Sequence, residues 1–426
     1  MSFKLNDLVQ IIKSNLTIVK NFGYLNLVQI LNYGFPLVVM PYLVLRLGLS
    51  NYGLVNYAIA ISSYFLLFID FGFSLQGTKE VQNNKNDLNK LNEINSSIYI
   101  IKLFISLFCL IIMCLLILVF SKLGAEKWLY IYTLLSVVFQ SMIPVWLFQG
   151  LEKMQFNAIL TFLSKGIFLV FLFSFDIEKT DYILVPLGSL LGWFITFIIS
   201  LVITYKKFKI KFIIPSYKII SQYISRSYPL FISQFSINFF RNMNTIILGV
   251  FSSDFVIGIY TLSEKIVKSV QSLQNPLGQA LFPFLTSKWS KQSPLKSLKS
   301  LIRFSKYPLL FFVFLYIATL LSSGFIITYF AGKFDLRIFI NLMILLPVVI
   351  IGGMNYYFGI LGLVAIGLND IFKKSVFIAS STGFIFMLFL NYLFNDIGAS
   401  IAFLLTELIL LYKILSYIKM RIQNEE

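Results

Sequence analysis

Residues 97–120 read SIYIIKLFISLFCLIIMCLLILVF, a run of 24 residues in which Lys102 is the one charged side chain. A helix rises 1.5 Å per residue, so about 20 apolar residues cross the roughly 30 Å hydrocarbon core of a bilayer. Lipid offers no partner to backbone N–H and C=O groups, and a helix pairs them all internally. The stretch therefore predicts a membrane-spanning helix.

Similar apolar runs recur along the whole chain of 426 residues, of which 58% are hydrophobic and 12% charged. Soluble domains carry roughly twice that charged fraction, so the composition excludes a soluble enzyme. We predict an all-α integral membrane protein with about twelve transmembrane helices, the tenth long enough to be bent or partly outside the membrane. The predicted spans lie near 24–45, 53–75, 97–120, 128–149, 154–175, 182–204, 227–251, 255–282, 305–329, 337–366, 374–393 and 397–418.

The distribution of positive charge predicts the orientation. Of the 35 Lys and Arg residues, 24 lie in or at the edge of predicted cytoplasmic segments and 6 in outward segments. Positive residues collect on the cytoplasmic side of membrane proteins, so both termini are expected in the cytoplasm. This rule also accounts for the net charge of +17 without a nucleic-acid partner.

A basic loop near the middle of the chain predicts two lobes. Residues 205–226 carry six Lys and Arg residues and divide the chain into a six-helix lobe at 1–205 and a second at 206–426. Two matched helix bundles around a central cavity are a common transporter plan. The turn Tyr52-Gly53 after the first span has a weak echo in Ile257-Gly258 after the seventh.

Ionisable residues inside spans are costly and usually face a cavity. The candidates near mid-span are Lys165, Arg241, Glu264, Lys265, Lys268 and Glu407. Their net charge of +2 indicates a cationic cavity for an anionic substrate. We assign substrate binding to Arg241, Lys265, Lys268 and Lys165.

Arg suits a phosphate group because its planar fork donates two parallel hydrogen bonds. The two glutamates, Glu264 and Glu407, are expected to act as counter-ions or in ion coupling. For Glu407 a buried structural role is an equally weighted alternative. An equally weighted alternative for Glu264 is a self-neutralising i,i+4 pair with Lys268. Asp70 and Lys102 lie close to predicted span ends, so we expect them to reach toward the membrane surface.

Polar residues of the first span form a second candidate group. Asn26, Gln29 and Tyr33 fall on one helical stripe and either line the cavity or hydrogen-bond neighbouring helices. Metal and cofactor sites are not expected: the chain has no His, and Cys109 and Cys114 fall on different sides of one helix.

Several motifs resemble Wzx-type polysaccharide repeat-unit flippases, over roughly residues 15–300. They are Asn32-Tyr33-Gly34-Phe35-Pro36-Leu37, Pro41-Tyr42-Leu43, Leu47-Gly48, Tyr52-Gly53, Asp70-Phe71-Gly72-Phe73-Ser74, Pro144-Val145-Trp146-Leu147-Phe148-Gln149-Gly150-Leu151-Glu152, and Tyr260-Thr261-Leu262-Ser263-Glu264-Lys265-Ile266 followed by Pro276 and Phe282-Pro283. Trp146 to Glu152 is the most specific. The chain departs from the family at Asn244, where an acidic residue is frequent. Asn244 is therefore a candidate ion-coupling position without a carboxylate.

The resemblance implies the multidrug/oligosaccharidyl-lipid/polysaccharide fold and no enzymatic activity. It implies flipping of an undecaprenyl-diphosphate-linked oligosaccharide from the inner to the outer leaflet of the bacterial cytoplasmic membrane, for O-antigen or another surface polysaccharide. The implied partners are this lipid-linked substrate, H⁺ or Na⁺, and the pathway's polymerase and chain-length proteins.

Three other functions stay open at this stage. A multidrug or cation antiporter of the same superfold would favour acidic cavity residues, whereas the mid-span balance here is positive. A polymerase would be expected to carry a long outward loop, and many membrane acyltransferases use a histidine. A lipid-binding scaffold is the third. Three driving forces also stay open: protons, Na⁺ or the membrane potential alone.

Overall fold

A computed structural model describes residues 16–238, 243–289 and 292–424, and every regular element in these ranges is helical. The helices are Leu16–Asp70, Phe73–Asn83, Leu88–Val119, Ser121–Ala125, Lys127–Met142, Val145–Gly150, Gln155–Phe173, the 3₁₀ turn Lys179–Asp181, Leu184–Lys206, Tyr217–Asn238, Met243–Phe251, Asp254–Gln271, Gln274–Trp289, Pro294–Phe304, Lys306–Ala331, Leu336–Leu345, Val348–Asn355, the π-helical segment Tyr356–Val364, and Asn369–Asn424.

Eight helical stretches in the described ranges are long and apolar enough to cross a membrane. They contain ten of the predicted spans, because two stretches each hold two. The other two predicted spans are 227–251, which runs across residues outside the description, and 255–282. The latter begins within the helix Asp254–Gln271, which carries four charged residues, and is interrupted before Gln274. An all-helical multi-pass membrane protein is confirmed, while the count of twelve and the cytoplasmic termini stay predictions.

The two longest elements are each a pair of helices joined at a left-handed residue. Gly48 (φ 76°) divides Leu16–Asp70, and Asn395 (φ 52°) divides Asn369–Asn424. Gly tolerates positive φ because it lacks Cβ, and Asn is among the few other residues that adopt it. These breaks coincide with the predicted joins between spans one and two and between spans eleven and twelve.

The predicted bend of the tenth span is also observed. Leu336–Leu345 ends just before Pro347, and the chain continues as Val348–Asn355 and then as the π-helical segment Tyr356–Val364. Proline removes a helical N–H and its ring clashes with the preceding turn, so the helix is interrupted there.

The chain divides into two compact units. The first contains the described residues up to Phe35 together with Ile61–Phe235, and the second contains Pro36–Ala60 and the described residues from Ser236 onward. Trp146 and Phe148 lie in the buried core of the first unit, and Phe312 and Phe358 lie in that of the second. The lobe boundary between residues 205 and 206 stays a prediction.

Candidate functional site

The helix Asp254–Gln271 carries three of the predicted site residues on its C-terminal half. Glu264 is 7% exposed, and its carboxylate lies 2.8 Å from the Lys268 ammonium. The spacing of four residues brings the two side chains together on one face. The self-neutralising pair considered from the sequence therefore forms, and Lys268 is largely compensated by its own helix.

Lys265 makes its direct contacts with neutral groups, while the neighbouring Glu264 carboxylate acts on it only electrostatically. Its ammonium donates a hydrogen bond to the Asn56 side-chain carbonyl and lies 5.5 Å from the centre of the Tyr52 ring. Within the described ranges no carboxylate forms an ion pair with it. A half-buried cation whose direct contacts in the described part of the chain are an amide and an aromatic ring can still bind an anionic ligand.

Two glycines place Lys265 beside these partners. A Cβ on Gly53 would lie 1.9 Å from the Asp254 carbonyl oxygen, and one on Gly258 would lie 2.0 Å from the Leu49 carbonyl oxygen. The helix that follows Gly48 and the helix Asp254–Gln271 thus approach so closely that neither position accepts a side chain. These are the two weakly echoing Gly turns of the sequence, in direct contact within the second unit.

Asn244 lies at the centre of a buried polar network and is 2% exposed. Its amide nitrogen donates to the Tyr260 hydroxyl (2.7 Å) and to the Ala399 carbonyl (2.8 Å), and its oxygen accepts from Asn391 (3.0 Å). The Tyr260 hydroxyl in turn donates to Glu264 (3.1 Å). Each polar atom of the Asn244 amide is thereby engaged in holding helices together. Its role in ion coupling stays a prediction.

Glu407 also meets a neutral partner. The Asn355 amide nitrogen donates to the Glu407 carboxylate at 2.6 Å and to the Glu407 backbone carbonyl at 2.9 Å. Among the described residues no cation forms an ion pair with this carboxylate. Lys268 acts on this carboxylate electrostatically but forms its ion pair with Glu264, and the roles of Glu407 as counter-ion or coupling group both stay predictions.

The remaining predicted residues lie in the first unit or outside the description. The Lys165 ammonium lies 4.4 Å from the centre of the Phe35 ring, and no carboxylate in the described part of the chain pairs with it. Asn26 and Gln29 are half-buried. Arg241 and the side chain of Tyr33 lie outside the described residues.

The expectation that Asp70 and Lys102 reach toward the membrane surface is wrong. Lys102 does not reach the membrane surface: it is 1% exposed, pairs with the Asp70 carboxylate at 3.2 Å and donates to the Ser141 carbonyl at 2.8 Å. Its ammonium also lies 4.6 Å from the centre of the Trp146 ring. The reason is that its helix begins at Leu88 rather than near 97, which places Lys102 about 21 Å from the helix start at 1.5 Å per residue.

Polar side chains that could hold a metal do not cluster in the described part of the chain: no group of three or more His, Cys, Asp or Glu side chains is found there. The arrangement instead offers a half-buried cation with neutral direct contacts in each unit, Lys165 in the first and Lys265 in the second. Such groups can bind and release an anion, and nothing in their geometry assembles a nucleophile with a base.

Comparison with known proteins identifies a family and two similar proteins. Residues 18–289 match the family described as "Polysaccharide biosynthesis protein". A relative from Escherichia coli (strain K12), described as "Putative O-antigen transporter", is 26% identical over 413 residues, which cover 95% of this chain and 98% of the relative. A protein of the same description from Shigella dysenteriae is 28% identical over 274 residues, or 63% of this chain and 67% of that protein.

Two solved structures share the fold. An inward-facing multidrug resistance MATE family transporter of the MOP superfamily has a TM-score of 0.72 at 13% identity, over 92% of this chain and 95% of that one. The lipid II flippase MurJ in an inward closed conformation has a TM-score of 0.63 at 15% identity, over 94% of this chain and 87% of that one.

Proposed function

Because the chain belongs to the polysaccharide biosynthesis protein family, we propose that it flips an undecaprenyl-diphosphate-linked oligosaccharide across the bacterial cytoplasmic membrane. The substrate moves from the inner to the outer leaflet by alternating access, for O-antigen or another surface polysaccharide. The E. coli relative is described as a "Putative O-antigen transporter", which supports a transporter rather than a polymerase or acyltransferase.

The observation that carries the proposal is Lys265. It is a cation within a membrane protein whose partners, Asn56 and Tyr52, are both neutral. Keeping an uncompensated charge away from water costs several kcal/mol. A diphosphate offers the missing negative charge and hydrogen-bond acceptors. Lys165, which faces Phe35, is a second lysine of this kind, and Arg241 remains a candidate from the sequence.

The charge pattern favours this substrate over a cationic drug. In the first unit the Asp70 carboxylate is already paired with Lys102, and in the second Glu264 is paired with Lys268. Neither carboxylate is therefore free to attract a cation. Glu407, held by a neutral amide, is the residue we propose for proton or Na⁺ coupling.

The membrane potential assists outward movement of such a substrate. With the cell interior negative, each negative charge that moves outward gains about 2.3 kcal/mol per 100 mV. A doubly charged diphosphate gains about twice that. The sugar hydroxyls are the greater obstacle, since each unpaired polar group costs several kcal/mol in hydrocarbon, and they require a polar path through the protein.

The proposal is tested by deleting the gene and extracting the lipids. Diphosphate-linked repeat units should accumulate on the cytoplasmic leaflet and surface polysaccharide should disappear. A plasmid copy of the gene should restore both. Normal surface polysaccharide in the deletion strain, with no accumulated precursor, would exclude this function.

A further inference from the structure

A polar cavity of about 310 Å³ lies within the first unit. Its volume falls at the lower end of the roughly 300–1,000 Å³ typical of small-molecule sites. The side chains that carry the argument are Asp70, Lys102, Gln140, Asn157, Thr161 and Trp193. None of these residues except Asp70 and Lys102 is ionisable.

The charge of the cavity is balanced. Asp70 and Lys102 are the ionisable residues that the described part of the chain contributes to its lining, and they pair with each other at 3.2 Å. The Ser74 hydroxyl donates a further hydrogen bond to Asp70 at 2.6 Å. A lining with no net charge attracts neither a phosphate nor a metal cation, in contrast to the surroundings of Lys265. It suits a neutral ligand rich in hydrogen-bonding groups.

Asn157 indicates that a ligand belongs there. Its side chain is 7% exposed, and neither its amide nitrogen nor its oxygen has a hydrogen-bond partner among the described residues. Buried polar groups in proteins are almost always hydrogen-bonded. An amide offers two donors and an acceptor, which match the hydroxyl groups of a sugar.

The cavity lining also contains an aromatic ring. Trp193 is half-buried on the helix Leu184–Lys206 and lines the same cavity. Indole presents an apolar face beside a polar edge, as the C–H face of a sugar ring requires. The close approach of this helix to Gln155–Phe173, where a Cβ on Gly192 would lie 2.4 Å from the Ser164 carbonyl oxygen, keeps Trp193 and Asn157 in one cavity.

We propose that this cavity binds one neutral sugar residue of the transported oligosaccharide, with Asn157 hydrogen-bonding its hydroxyls and Trp193 packing on its ring. The inference rests on the proposed function and adds a sugar-binding subsite in the first unit, separate from recognition of the diphosphate. The affinity for the substrate then has one contribution from the sugar and a second, independent of the sugar, from the diphosphate.

The test measures these two parts with the full-length chain in nanodiscs. Two probes compete against a fluorescent undecaprenyl diphosphate: bare undecaprenyl diphosphate, and the lipid-linked oligosaccharide fraction extracted from the gene-deletion strain. The native chain should bind the sugar-bearing probe at least tenfold more tightly. Asn157→Leu keeps the volume but removes both polar atoms, and should reduce this preference to threefold or less while leaving affinity for the bare probe unchanged.

A matched control comes from the same unit. Asn95 is also a buried amide, 4% exposed, but it does not line this cavity, so Asn95→Leu should keep the full preference. Thr161→Val serves as a second test variant should Asn157→Leu fail to fold.

The outcomes separate the two proposals. Equal affinity of the native chain for both probes, or full preference in the test variants, would overturn the sugar subsite and leave diphosphate recognition standing. Failure of both probes to compete would overturn the proposed function together with the subsite.

Discussion

The Lys102 ammonium, 14 residues into the helix Leu88–Val119, lies 3.2 Å from the carboxylate of Asp70 at the end of the helix Leu16–Asp70. The side chain of Lys102 is 2% exposed and that of Asp70 20%. The pair joins two helices through residues that are 32 positions apart in the chain. It also supplies the two opposite charges of the sugar-sized cavity in the first unit.

Breaking this pair should destabilise the protein strongly. Lys102→Met leaves the Asp70 carboxylate without its cation, and removing one partner of a buried pair costs about 3–5 kcal/mol. We expect a clear fall in the thermal unfolding midpoint of the detergent-solubilised protein. The double variant Asp70→Asn with Lys102→Met should recover at least half of the loss.

Lys90→Met is the control, because the Lys90–Glu93 pair is exposed and pairs of that kind contribute about 1 kcal/mol or less. A midpoint for Lys102→Met equal to that of Lys90→Met would contradict the buried pair.

Asn244 should prove structural. Asn244→Ala removes bonds to Tyr260, Ala399 and Asn391 and leaves buried groups unpaired, at a cost of about 1–3 kcal/mol. Asn244→Asp should be worse, because an ionised carboxylate cannot donate to the Ala399 carbonyl and faces its oxygen. Folded yield by size-exclusion chromatography measures both. A stable Asn244→Asp protein would refute this role.

The loop before the helix Leu184–Lys206 provides a pH-dependent contact. The Tyr182 hydroxyl donates to Glu126 at 2.6 Å, and this bond, aided by partial burial, raises the pKa of Tyr182 to about 12. The folded state thus favours neutral tyrosine. Its contribution is complete below about pH 10 and is lost as pH rises through 12.

Tyr182→Phe should therefore be less stable by about 1 kcal/mol at pH 8, and the gap should close between pH 10 and 12. Parallel unfolding curves of the two proteins over this range provide the measurement. A gap that is constant with pH would show that the hydroxyl does not titrate with folding.

Much of the fold could be predicted because membrane spans depend on local composition. The third predicted span starts at residue 97, whereas its helix begins at Leu88, and this difference has a local cause. Residues 88–96 are polar enough to suggest a loop, but the Asp87 carboxylate accepts hydrogen bonds from the Asn89 and Lys90 backbone N–H groups and starts the helix there. An Asp before a helical run is a recognised start signal, and it was present in the sequence.

The candidate site was less predictable because its contacts join distant residues. The Glu264–Lys268 pair follows from a spacing of four. The Asn391–Asn244 bond spans 147 residues, and no spacing rule reaches that far. Lys265 can be identified from the sequence as an ionisable residue near the middle of a predicted span. Its contacts with Asn56 and Tyr52, however, depend on the close helix approach at Gly53 and Gly258.

Glu407 is the proposed coupling residue, and Glu407→Gln isolates its charge. The Asn355 amide can still donate to the new side-chain carbonyl, so folded yield should be unchanged. Transport driven by an imposed ion gradient should fall at least tenfold in proteoliposomes, while transport driven by potential alone persists. Undiminished gradient-driven transport would assign Glu407 to structure instead.

The central claim is that Lys265 recognises the diphosphate of a flipped lipid-linked oligosaccharide. The most direct measurement is the rate at which labelled substrate reaches the outer leaflet of proteoliposomes that contain the purified chain. We predict that the native chain flips the substrate and that Lys265→Ala is ten- to hundredfold slower, because one charge-assisted bond of about 1.5–3 kcal/mol is missing. Lys265→Arg should keep partial activity. The exposed control Lys296→Ala should flip at the native rate. A native chain no faster than empty liposomes, or a Lys265→Ala protein as fast as the native one, would contradict the account.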